Sequence, residues 1–448
     1  MTQLRRVMGF WDLVLFYIVT SFSIRWIATA AAAGPSSILI WVSACITFFV
    51  PLAYCTLRLS ALHPQEGGLY IWTKKAFGPF AGFITGWNYW GSNLPYFPSL
   101  LYFAAGNALF IGGASWQSLS SNSTYFIVFS VVGLALAVSL NVVGLDVGKW
   151  LHNLGALSAW IPALLLVIMA PVAWYRFGAA TQISFTTMIP GTNLKDIVFW
   201  STIAFAFAGV EGASLMADEI QDAKRNIPRA VILAGVIMTF FYIAATTSIL
   251  VAVPQSQVTG LQGFTQAIDV VAARVGLQAI VPLMATLVSF SALGGVAAWF
   301  AAAGRLPFVA GVDHFLPAAF GRLHPKWGTP YISLLTQAGI ALVFIFLGQA
   351  GTTVKGAYDV LVSMSVIAYF IPYLLMFAAL PKLDPRPASK FCGGLGFLTT
   401  TISIVLAAIP ASDDPNKLLA VSKTIGLTAL MVGIGSFIYW TRRRREQR

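Results

Sequence analysis

Acidic side chains are scarce in this chain, with 15 Asp and Glu in 448 residues against 27 Lys and Arg. All charged residues together make up 9%, where a soluble domain carries about 25%. A chain that is 58% hydrophobic cannot cover its own surface in water, so a water-soluble domain is excluded and hydrocarbon is the natural solvent. Three cysteines, Cys45, Cys55 and Cys392, form neither a disulfide framework nor a metal spacing. The histidines His63, His152, His314 and His324 are scattered, which excludes a zinc site built on them. No Gly-Lys-Ser/Thr phosphate loop is present, so direct ATP drive is not expected, nor is there a nucleophile elbow. No cofactor and no resident metal are implied. The connections between apolar runs are short, the longest being 61–79, 175–195, 218–229, 254–274 and 305–328. None could hold a catalytic or signalling head.

Long apolar runs fill the rest. A membrane-spanning helix needs about 20 mainly apolar residues. The pattern predicts an all-α polytopic membrane protein of about twelve helices, at 10–32, 37–60, 80–112, 124–145, 150–174, 196–217, 230–253, 275–304, 329–349, 357–380, 393–410 and 418–440. The 39 Gly, 22 Pro and 14 Trp suit helices that kink, pack closely and anchor at interfaces. Arg5 and Arg6 lead straight into the first apolar run, which is expected to be retained as a helix rather than removed as a signal peptide. An even count places both termini on one side. With that side cytoplasmic, about twenty Lys and Arg lie inside and six outside, the bias expected of a bacterial inner-membrane protein. The net charge of +12 is thereby a topology signal, with Arg442–Arg445 an anchor on anionic lipid. Nucleic acid is not an expected partner.

Two runs are interrupted. In the first, Thr20-Ser21-Phe22-Ser23-Ile24-Arg25 breaks an apolar stretch; Ser and Thr compete with the helix for backbone hydrogen bonds, and Arg is costly in a span. In the sixth, Phe205-Ala206-Phe207-Ala208-Gly209-Val210-Glu211-Gly212 sets Gly and Glu deep in an apolar run. These runs are five helices apart, as in transporters made of two inverted repeats that each open with a discontinuous helix.

Three stretches carry a resemblance. The first is Ala33-Gly34-Pro35 with Pro64-Gln65-Glu66-Gly67-Gly68-Leu69-Tyr70, Lys75-Ala76-Phe77-Gly78-Pro79 and Gly86-Trp87. The second is the Phe205–Glu211 run with Asp218-Glu219 and Arg225-Asn226-Ile227-Pro228-Arg229-Ala230. The third is Arg305, Leu316-Pro317 and His324-Pro325-Lys326-Trp327-Gly328-Thr329-Pro330. Together they resemble the amino acid–polyamine–organocation transporter superfamily over nearly the whole ten-helix core. The resemblance implies a leucine-transporter type fold, with repeat one at about 10–174, repeat two at about 196–380 and two appended helices at about 393–440. It implies alternating access, with a substrate carboxylate on freed N–H groups of helix 1 and its amine on freed carbonyls of helix 6. Where the family usually has Gly-x-Gly in helix 1, this chain has Ser21-Phe22-Ser23.

The candidate substrate-binding residues are therefore Ser21, Phe22, Ser23, Ile24 and Arg25, then Phe205, Phe207, Ala208, Gly209 and Glu211, with Asn93 on the third helix. Arg25 has four readings: binding a second substrate carboxylate, pairing with Glu211, standing in for a bound cation, or snorkelling to the interface. Glu211 is expected to pair, gate or carry a proton. Tyr89, Trp90 and Tyr96 share the third helix with Asn93 and are read equally as cavity lining or packing. Ser289 and Ser291 sit where sodium-coupled relatives place hydroxyl ligands, which is thin support for sodium. His152 reads as structural, and Glu66, Asp218, Glu219, Arg225, Arg229 and Arg305 read equally as a cytoplasmic latch of ion pairs or as solvated loop charge. The expected solute is an amino acid or related amine, moved by exchange or with a proton; a non-transporting membrane sensor is the alternative.

Overall fold

The computed structural model describes residues 8–446 except 66, 192–199, 202, 213, 215–219, 313–315, 410–417 and 419–420. Among the described residues there is no strand, only a single parallel bridge between Met8 and Ile220. The helices are α1 (Phe10–Ser21), α2 (Ile24–Ala32), α3 (Ser36–Ala44), α4 (Val50–Leu62), α5 (Leu69–Phe77), α6 (Pro79–Ala108), α7 (Ser123–Val143) and α8 (Leu145–Phe177). They continue with α9 (Phe185–Met188), α10 (Ala223–Ala252), α11 (Gly263–Val275), α12 (Val281–Val312), α13 (Tyr331–Gln349), α14 (Val354–Leu383), α15 (Pro387–Ala407) and α16 (Leu427–Glu446). A π-turn at Cys45–Phe49 carries α3 into α4.

Ten helices among the described residues are long and apolar enough to cross a membrane. They match ten of the twelve expected runs. The first and sixth runs have no counterpart in that set, and these are the interrupted ones. The first is split into α1 and α2, of 12 and 9 residues. At about 1.5 Å per residue, neither half spans a core about 30 Å thick. The sixth is helical at 200–201 and 203–205 and becomes a turn over 206–211.

Two stretches expected as loops are helices. α5 buries Leu69, Tyr70, Trp72, Thr73 and Ala76 while Lys75 stays exposed; α11 buries Phe264, Ala267, Ile268, Val271 and Ala272. Both are amphipathic and too short to read as spans. Because α11 takes residues up to 275, the following span starts at Val281 rather than 275. Pro95 and Pro98 both lie within the single helix α6.

α6 is the central helix. Nearly all of it from Gly82 to Ala108 is buried, with α5, α7, α12, α13, α14 and α16 packed around it. α12 also lies against α8, where Gly294 meets Gly155 so closely that a Cβ would sit 2.6 Å from the Gly155 Cα. Gly294→Ala must push these helices apart; overpacking of this kind costs about 1–3 kcal/mol. The expected result is a lower unfolding temperature in detergent, read by intrinsic fluorescence.

At one end of the bundle, Arg58 of α4 pairs with Asp384 between α14 and α15 at 2.9 Å. Arg386 reaches the same carboxylate at 3.4 Å, and the Ser389 hydroxyl donates to it at 2.7 Å. The Arg58 hydrogen bond holds Asp384 below the usual carboxylate range. A depressed carboxylate adds stability above its unfolded pKa and loses it as pH falls through the folded one. Asp384→Asn is therefore expected to flatten the acid limb of the stability profile, measured as unfolding temperature against pH.

Candidate functional site

The first break is extended backbone at Phe22 (φ −91°, ψ 108°) and Ser23 (φ −119°, ψ 120°). α2 starts without a side-chain cap. Helix geometry leaves the N–H groups of Ile24 and Arg25 with no acceptor inside their own helix. The second break is a chain of overlapping four-residue turns, in which the Ala206, Phe207 and Ala208 N–H groups bond to Ile203, Ala204 and Phe205 carbonyls. It ends at Gly209 with φ +113°, a conformation that a side chain would strain. The carbonyls of Phe207 and Ala208 accept no hydrogen bond from the described residues.

Tyr242 of α10 joins the two breaks. Its hydroxyl lies 2.7 Å from the Ser21 carbonyl and 3.0 Å from the Ala206 carbonyl, and it accepts the Ser23 N–H at 3.1 Å. One oxygen thus touches backbone from both interrupted helices. Its ring is stacked on Trp41 at 4.2 Å, and the Trp41 indole N–H donates to Thr246. Phe22 and Phe207 pack against the same ring, at 5.1 and 5.6 Å.

Glu211 is fully buried, and its Oε1 receives the hydroxyls of Tyr89 (α6) and Tyr369 (α14), each at 2.6 Å. Those two hydroxyls are 2.7 Å apart. Its Oε2 receives the Gly209 N–H at 3.2 Å, and the same N–H also lies 3.2 Å from the Tyr373 hydroxyl. The acid therefore ties the second break to α6 and α14. It makes no ion pair with Arg25, so that reading of the sequence is corrected: the tyrosines occupy the carboxylate instead.

Arg25 is 0% exposed, which also removes the snorkelling reading. Its Nη1 donates to Ser99 Oγ at 2.9 Å, and its guanidinium lies 4.2 Å from the Trp26 ring centroid and 4.7 Å from that of Tyr96. Nε and Nη2 have no hydrogen-bond partner among the described residues. From Trp26 a chain of edge-on rings runs to Phe205 (5.5 Å), Tyr369 (5.4 Å), Trp299 (5.8 Å) and Tyr96 (6.1 Å). The chain closes on Arg25, and all five rings are buried.

The structure thus gathers Ser21, Phe22, Ser23, Ile24, Arg25, Phe205, Ala208, Gly209 and Glu211 around the two breaks. Phe207 points away from Arg25, into Trp41, Phe49 and Tyr242. Asn93 bonds back to the Tyr89 carbonyl of its own helix at 2.7 Å. Ser289 donates to the Ala104 carbonyl at 3.0 Å, away from both breaks. Glu66, Asp218 and Glu219 lie outside the described residues, as does His314. Of the expected latch, Arg305 bonds to the Ala301 carbonyl of its own helix, and the described ion pairs at that end are those of Asp384.

Tyr242, Trp26, Trp299, Tyr369 and Tyr373 were not among the residues the sequence singled out. The i, i+4 pair Tyr369 and Tyr373 in an apolar helix is the one local signal that points to them.

Residues 8–437 match the family described as amino acid permease. The chain belongs to the amino acid permease family. This permease is 26% identical over 445 residues to an uncharacterised transporter of Legionella pneumophila, an alignment covering 93% of this chain and 92% of the relative. It is 24% identical over 442 residues to a protein of Lactococcus lactis named "Probable agmatine/putrescine antiporter", covering 95% and 93%. An uncharacterised transporter of Mycobacterium bovis is 23% identical over 452 residues, covering 98% and 92%. The permease is accordingly a multi-pass membrane transporter.

Proposed function

We propose that this permease is a secondary transporter that carries an amino acid or related amine across the inner membrane by alternating access, with both termini cytoplasmic. Substrate sits between the two breaks. Helix N-termini attract anions and C-terminal carbonyls attract cations. The N–H groups of Ile24 and Arg25 suit an α-carboxylate, and the carbonyls of Phe207 and Ala208 suit an amine. The observation that carries this reading is the Tyr242 hydroxyl, which touches Ser21, Ser23 and Ala206 at once. It sets the two sets of bare peptide dipoles beside each other in a buried place, where lipid cannot satisfy them.

Residues 10–174 and 196–380 form the two inverted halves, with 393–440 appended. Coupling is by exchange or by a proton, with Glu211 the acid positioned to respond; sodium is the less favoured ion, since Ser289 is committed to Ala104. The test is thermal-shift screening of the purified protein against amino acids and polyamines, followed by flux into liposomes under imposed proton and sodium gradients. Solute-dependent flux supports the reading. Exchange requires internal substrate and responds to neither gradient. Binding without flux in any condition overturns it and favours a membrane sensor.

A further inference from the structure

We infer that the transported solute carries a second carboxylate, as an acidic amino acid does, and that the Arg25 guanidinium holds it. This rests on the proposed function and names the substrate class of the same site. A buried cation is stable only when paired or hydrogen-bonded, and among the described residues the Arg25 guanidinium has a single hydrogen bond, to the neutral Ser99 hydroxyl. Two of its three nitrogens stand unpartnered among the described residues. Glu211, the buried acid at the second break, is committed to Tyr89, Tyr369 and the Gly209 N–H. Trp26 and Tyr96 hold the guanidinium face to ring; this fixes its plane and leaves its in-plane N–H groups for a carboxylate. The buried Tyr358 hydroxyl lies beside the Arg25 guanidinium and adds a second neutral oxygen there, not a negative charge.

One residue therefore presents two anion-binding groups, its backbone N–H at the start of α2 and its guanidinium, separated by the length of its own side chain. That spacing suits two carboxylates on one small molecule, whose amine then meets the Phe207 and Ala208 carbonyls. A neutral amino acid would leave the guanidinium uncompensated. A diamine would set positive charge beside positive charge.

The test is flux and competition in liposomes holding the full-length protein, with glutamate, aspartate, leucine, agmatine and putrescine as probes. The wild type is expected to move and be inhibited by glutamate or aspartate, and not by leucine or the diamines. Arg25→Gln should lose acidic flux by roughly thirty-fold or more, and Arg25→Lys should restore part of it. If either variant fails to fold, wild-type competition alone decides. Flux of leucine or an amine with acidic solutes inert overturns the inference and leaves the transporter reading intact. Flux of no solute overturns both. Chloride or sulfate stabilising the protein as strongly as glutamate, with no acidic flux, overturns the inference by making Arg25 an inorganic-anion site.

Discussion

Glu211→Ala is expected to reduce transport per folded molecule to below about 1% of wild type, a barrier change of about 3 kcal/mol. The substitution removes the acceptor of three buried donors: the Tyr89 hydroxyl, the Tyr369 hydroxyl and the Gly209 N–H. The Gly209 N–H keeps the Tyr373 hydroxyl and one tyrosine can donate to the other, so one buried hydroxyl donor is left unpaired, at a cost of about 1–3 kcal/mol. The loss falls on the joint that ties the second break to α6 and α14, so the turn at 206–211 no longer holds the Phe207 and Ala208 carbonyls in place. Glu211→Gln keeps the shape and one oxygen acceptor, yet its amide sets donors against donors. It is expected to fold and to transport about ten-fold to a hundred-fold more slowly. Flux and thermal unfolding on the same preparations separate a folding defect from a transport defect. Wild-type flux in Glu211→Ala would remove the acid from the mechanism.

The second large effect is expected of Tyr242→Phe. The ring remains stacked on Trp41, and a single oxygen is lost. With it go the contacts to the Ser21 carbonyl, the Ala206 carbonyl and the Ser23 N–H. Unpaired backbone groups in a site closed to water cost about 2–3 kcal/mol in sum, and flux is expected to fall by roughly thirty-fold or more. Tyr102→Phe is the control. It deletes the same atom from a tyrosine whose hydroxyl meets the Ile345 carbonyl on α13, away from both breaks, and its flux should stay near wild type. Equal losses in the two variants would mean that the Tyr242 hydroxyl has no special role.

What the sequence made legible is local. Ser21-Phe22-Ser23 and the Gly209 run break helices because of their own side-chain and backbone preferences, and the structure breaks there. Glu211 stood out because an acid in an apolar run is costly wherever it lands. The partners of these residues were not legible. Tyr242 lies 221 residues from Ser21 in an apolar run, and nothing in its neighbours marks it. Tyr369, at 158 residues from Glu211, reads as an ordinary buried aromatic. Arg25 admitted four readings until its packing was known. Burial removed the interface, and the tyrosines around Glu211 removed the ion pair. Short amphipathic helices such as α5 and α11 escaped because span length was the criterion, and they carry their apolar face on only a few residues.

The most direct test is the structure of the protein with a transported solute bound. The α-carboxylate is expected within hydrogen-bonding distance of the Ile24 and Arg25 N–H groups, the amine at the Phe207 and Ala208 carbonyls, and Tyr242 still bridging the two helices. Solute seated elsewhere, with both breaks paired only to protein, would contradict it.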